Sequence, residues 1–202
     1  MIDFDEYELV PGETRATIKI QRSEFIGVAF PSPTQGDFDA ALARISREHF
    51  DATHHCWAWR RVEDGELRAH SSDAGEPSGT AGRPILQAIE SAALLDTGVI
   101  VVRYYGGVKL GTGGLARAYR DAAREVLENA PRARKILYDR IVVEVPFSAM
   151  SAVYRLVAPP DVTLASETFG EPNVFVLDVR RSRVDRLLAQ LEEKRISAKR
   201  CS

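Results

Sequence analysis

The order of strand and helix signals predicts an α+β fold in two domains, and three observations carry that reading. Short alternating or β-branched runs are interleaved with three helical patterns up to about residue 130. A proline and three cations in Pro131-Arg132-Ala133-Arg134-Lys135 then read as a linker. Beyond it the signals run strand, helix, strand, strand, helix, the succession of a ferredoxin-like half whose last strand is truncated or missing. The expected domains are therefore residues 1–131 and 137–202.

The elements follow in order. Residues 7–20 alternate, with Ala16, Ile18 and Ile20 on one side, and read as a first strand; Ser23 to Phe30 reads as a second. Pro31-Ser32-Pro33 breaks the chain before a helix that spaces Phe38, Leu42, Ile45 and His49 at helical intervals. Thr53 to Val62 is a strand, Asp64-Gly65 a two-residue hairpin turn, and Leu67 to Ser71 the returning strand, a register that sets His70 opposite Trp59. After a glycine-punctuated loop from Asp73 to Arg83, Pro84 to Leu95 is a helix with proline in its first turn, where no backbone donor is needed. Val99 to Val102 is a buried strand and Leu115 to Ala130 a helix. In the second domain Ile141–Pro146, Val162–Phe169 and Val174–Val179 are strands, and Ser148–Val157 and Arg183–Leu191 helices.

Composition narrows the function classes. At 202 residues, 45% hydrophobic and 28% charged, the chain is of ordinary globular make-up. A net charge of −2 argues against wholesale binding to nucleic acid. The acidic start MIDFDEYELV lacks a basic leader, and no apolar run approaches about 20 residues, so no membrane partner is expected. The two cysteines, Cys56 and Cys201, make no framework and agree with a reducing, cytoplasmic location.

The chemistry concentrates between Val99 and Arg124. A strand ends at Arg103, Tyr104 and Tyr105, and Gly106, Gly107, Gly111, Gly113 and Gly114 follow within nine positions around Lys109. Such a loop lets backbone approach a ligand closely. Loop amides, a helix start and Lys109 together make an anion site, which Arg117, Arg120 and Arg124 extend along the helix. The plainer reading is a solvated helix face on which Asp121 offsets Arg117 and Arg124. A second set, Asp73, Glu76, Ser78, Thr80 and Arg83, either lines a cleft facing that loop or caps the following helix while Glu76 pairs with Arg83. His54, His55 and Cys56 are metal-ligand types, but on a strand His54 and Cys56 share one face while His55 shares the other with Trp57 and Trp59, so no metal site is assigned. Cys56 is read as a buried thiol and no catalytic residue is named. No GxxxxGK[ST] occurs, and Gly111-Thr112-Gly113-Gly114-Leu115-Ala116 matches a dinucleotide fingerprint without the acid-tipped second strand that fingerprint requires.

Three segments in order, Asp51 to Arg60 (DATHHCWAWR), Asp73 to Pro84 (DAGEPSGTAGRP) and Arg103 to Gly114 (RYYGGVKLGTGG), resemble the signature of the IMPACT/YigZ family over residues 23–127. The resemblance implies an N-terminal ribosomal protein S5 domain 2-like domain followed by a ferredoxin-like one. It also implies a translation context, since eukaryotic relatives regulate a stress kinase pathway through a protein partner. The expected function is a cytoplasmic translation-associated regulator without a cofactor. It would bind RNA or a ribosome-associated protein through Arg103, Tyr105, Gly106, Gly107, Lys109, Gly111, Gly113, Gly114, Arg117, Arg120 and Arg124, with phosphate or sulfate as a further ligand. The alternative is a phosphate- or nucleotide-recognising enzyme with its cleft between the two glycine-rich loops.

Overall fold

A computed structural model describes residues 4–201. The chain divides into two compact units, residues 7–135 and residues 136–201 with 4–6. In order, the elements of the first stretch are β1 (Glu6–Leu9), β2 (Thr14–Ile20), β3 (Ser23–Pro31), α1 (Gln35–Glu48), β4 (His54–Glu63), β5 (Glu66–Ser72), α2 (Gly82–Ser91), β6 (Thr97–Tyr104) and α3 (Gly111–Asn129). β7 (Ala133–Ile136), β8 (Tyr138–Val145), α4 (Met150–Tyr154), β9 (Val162–Thr168), β10 (Asn173–Arg180), α5 (Val184–Glu193) and β11 (Ser197–Arg200) complete the chain.

Unit 1 is a five-stranded antiparallel sheet in the order β2-β3-β6-β4-β5. Its central strands are covered on both faces, which explains why Val99 to Val102 form a continuous apolar run where a half-exposed strand would alternate. Phe25, Ala29, Cys56, Ala58, Val99 and Val101 pack against α2 and α3, whereas Val28, Phe30, Trp59, Ile100 and Val102 pack with Phe38 and Ile45 of α1. α1 begins with a capping box, Thr34 accepting from the Asp37 amide and Asp37 accepting from the Thr34 amide. α3 buries three alanines, Ala118, Ala122 and Ala123, among the larger Leu115, Tyr119, Val126 and Leu127. Register in the β4–β5 hairpin is as the Asp64-Gly65 turn requires, with Trp59 opposite His70. The His70 ring stacks on both Trp57 and Trp59, at 5.6 and 6.0 Å between centroids.

Unit 2 contains a four-stranded antiparallel sheet in the order β11-β8-β10-β9, with its core formed by Ile141, Val143, Val145, Phe175, Leu177 and Val179 against Val153, Val184, Leu187 and Leu191. The last strand, expected to be truncated or missing, is present: Ser197–Arg200 pairs with β8 despite a sequence, SAKR, that has no hydrophobic alternation. The helix expected over Ser148–Val157 is broken into a single 3₁₀ turn and the five-residue α4. Residues 133–135, read from sequence as part of the linker 131–135, form β7 together with Ile136, and β7 pairs with β1.

Candidate functional site

All three signature segments meet at one end of unit 1. The last residues of β6 lead into the second glycine loop, the first residues of β4 lie beside them, and the first glycine loop folds across α2's N-terminus. His54 and Cys56 do share a face, the one that looks onto α2 and α3, as strand alternation requires.

Asp73 organises the first loop. One of its carboxylate oxygens accepts from the amides of Ala81 and Gly82 at 2.8 and 2.9 Å, and the other from Gly79 at 2.8 Å. A carboxylate thus occupies the N-terminus of α2, where orphan amides and the helix dipole favour negative charge. Burial pushes the Asp73 carboxyl up, but the three amide hydrogen bonds outweigh it and hold the group below the usual carboxylate range. Its ionised form therefore stabilises the fold fully above the unfolded-state value of about 4, and that contribution is lost as pH falls through the lower folded value. Asp73→Ala is expected to cost about 2 kcal/mol at pH 7 in urea unfolding and to flatten the acid limb of stability against pH. A difference below about 0.5 kcal/mol would contradict this capping role.

Glu76 is the hub. Its carboxylate is 4% exposed and accepts from Arg103 Nη1 at 2.5 Å and from the Tyr119 hydroxyl at 2.7 Å. Its partner is thus Arg103, 27 residues away, and not Arg83, which is exposed. His54 Nδ1 donates to the Ala74 carbonyl at 3.0 Å, which leaves its Nε2 3.8 Å from Glu76. The Cys56 thiol donates to the Asp73 carbonyl at 2.9 Å, and burial pushes it up to about 12, so it is no thiolate nucleophile at neutral pH. Tyr119 is pushed well above the usual phenol range, by burial first and its neighbours Cys56 and Glu76 next. Among these groups, Tyr119 gave no sequence signal apart from its place on the apolar stripe of α3. Thr80 is buried, its hydroxyl donating to the Pro77 carbonyl, and Ser78 is exposed.

Arg103 therefore leaves the surface set in which the sequence reading placed it. It is 5% exposed, and its guanidinium lies 5.4 Å from the Phe25 ring and 5.3 Å from that of Tyr105. Its Nε has no hydrogen-bond partner among the described residues. Tyr105 is exposed, and Tyr104, which faces the other way, is held by hydrogen bonds to His49 and Asp51.

The second loop is anchored at its start and open beyond. The amides of Tyr105 and Gly106 donate to Thr53 and Ser23, each at 3.2 Å. Gly106 sits against the Arg22 carbonyl so closely that any Cβ would overlap it. Gly107 and Gly111 take φ of +84° and +68°, the left-handed region. Gly113 and Gly114 are not loop but the first turn of α3, whose N-terminus has neither a side-chain cap nor an acidic residue. Lys109, Arg117 and Arg120 are exposed, with no carboxylate within ion-pairing distance among the described residues. Arg124 differs: Asp121 and Glu128 flank it at 3.9 and 3.6 Å, as the plainer sequence reading held for this residue. Among the described residues no helix is long and apolar enough to cross a membrane.

The Impact N-terminal domain matches residues 21–127, the span that holds all three segments. A Haemophilus influenzae protein named as an IMPACT family member is 33% identical over 87% of this chain and 86% of its own length. Escherichia coli YigZ, also an IMPACT family member, is 31% identical over 84% and 82%. A solved crystal structure of a hypothetical protein aligns over 98% of both chains with a TM-score of 0.69 and 25% identity.

Proposed function

The chain belongs to the IMPACT family, and from that premise we propose that it is a translation-associated accessory factor that binds RNA phosphates on the open end of α3. One observation carries the reading. Lys109 is exposed and unneutralised beside a helix N-terminus that nothing in its own first turn satisfies, and Arg117 and Arg120, equally exposed and unneutralised, continue the positive surface about 9 and 14 Å along α3. Negative charge is favoured at that end by the amides, the dipole and Lys109, and further along the helix by the two arginines. Tyr105, exposed at the start of the loop, offers a ring on which a base can stack. The translation context rests on the family resemblance. The enzyme alternative loses ground because Glu76, which reaches from the first loop to Arg103 and Tyr119, already has its charge and both partners committed. We further assign residues 1–131 as an S5 domain 2-like domain and 137–202 as a ferredoxin-like domain. The β11-β8-β10-β9 order with two helices between its strands supports the latter.

The test is fluorescence anisotropy with a labelled RNA hairpin across about 50–200 mM salt. About three phosphate contacts give a slope of log K against log salt of roughly −2 to −3. Lys109→Glu/Arg117→Glu/Arg120→Glu is expected to abolish binding while the melting temperature holds, because all three side chains stand in solvent. Binding unchanged in that variant rejects the interface.

A further inference from the structure

We propose that unit 2 carries a binding site for a small organic anion, an acidic head on an apolar body of about one ring, in the cleft between the end of α4 and α5. The cleft has a local cause. α4 stops after five residues at Tyr154, so it does not run the length of the ten-residue α5, and the chain returns to β9 through Ala158–Asp161. The space left is about 370 Å³, within the range of roughly 300–1,000 Å³ that holds small ligands.

Its lining has two characters. The floor is apolar, built from Leu156, Val162 and Leu187, the last two almost wholly buried. The rim carries Arg155, Arg183 and Arg186 against one carboxylate, Asp161. That carboxylate is already committed, with Arg180 on one oxygen and Arg183 on the other, each at 3.3 Å. Arg155 and Arg186 have no carboxylate within ion-pairing distance among the described residues. Asp185 precedes Arg186 on α5, but consecutive helical residues point about 100° apart and it does not line the cleft. The cleft therefore presents two unpaired cations at its rim and, beneath them, the half-buried Leu156 side chain as the accessible part of an apolar floor. Inorganic phosphate satisfies only the rim, whereas an aryl phosphate or aryl carboxylate satisfies both rim and floor.

The experiment is a ¹⁵N NMR titration of the full chain with phenyl phosphate, benzoate and inorganic phosphate in parallel. The expected result is phenyl phosphate binding with a dissociation constant on the order of 1 mM, with shifts centred on Arg155, Arg186 and Gln190. Inorganic phosphate should bind at least about fivefold more weakly, and benzoate between the two, since it keeps the ring but carries less charge. Arg155→Ala and Arg186→Ala should each weaken phenyl phosphate roughly tenfold without moving the melting temperature, and Lys199→Ala on β11 should leave it unchanged. Inorganic phosphate bound as tightly as phenyl phosphate overturns the proposal. So does an affinity untouched by Arg186→Ala, or shifts centred on Lys109 rather than on the cleft.

Discussion

Glu76→Ala is expected to destabilise unit 1 by about 3–5 kcal/mol, measured by urea unfolding at pH 7. The magnitude comes from what is left behind rather than from the pair itself. Arg103 would stay buried with its Nη1 unpartnered, beside an Nε that already has no partner among the described residues, and the Tyr119 hydroxyl would lose its acceptor at the same time. A buried guanidinium stripped of its counter-charge is among the few single changes that reach this size. Glu76→Gln separates the causes, because the amide oxygen still accepts from Tyr119 and Arg103 while the charge is gone, and it should recover roughly half of the loss. A cost below about 1 kcal/mol for the alanine variant would mean that the pair contributes nothing net.

Gly106→Ala is expected to be as damaging, for a reason that is steric rather than electrostatic. The added carbon would overlap the Arg22 carbonyl, which is backbone and has no rotamer to yield. Arg22 is itself held at φ +70° in the turn that joins β2 to β3, so relief requires moving that turn or the loop. The expected loss is about 3 kcal/mol or more, a fall in melting temperature of roughly 10 °C or above. Gly107→Ala is the control: a carbon there meets open space, and only its φ of +84° is unfavourable, costing about 1–2 kcal/mol. Equal melting temperatures for the two variants would show that close approach is not what position 106 demands.

These two residues also mark the limit of what the sequence could reveal. Features set by neighbouring residues were legible: the Asp64-Gly65 turn placed His70 opposite Trp59, and strand alternation put His54 and Cys56 on one face. The signature segments were legible as a pattern. Arg103 was not read correctly, because a cation at the end of a strand looks solvated until its partner is known, and Glu76 is 27 residues distant. Glycine density suggested one long loop, whereas Gly113 and Gly114 are helical, since the capping signal that marks most helix starts is missing from α3. The strand Ser197–Arg200 carries no alternation of its own and is ordered by its pairing with β8, a tertiary override of local propensity. Residues 133–135 look like linker for the same reason and form a paired strand with Ile136 instead.

The stack of Trp57, His70 and Trp59 has an optical consequence. The chain has two tryptophans, and both lie on one face of β4, two residues apart, stacked on the same imidazole. Indole emission is thus confined to residues 7–135, while residues 136–201 emit only through tyrosine. An unfolding curve followed by tryptophan fluorescence reports unit 1 alone, and far-ultraviolet circular dichroism reports both. The two traces superimpose only if the halves of the molecule melt together, so a single titration read by two probes measures their cooperativity without cutting the chain.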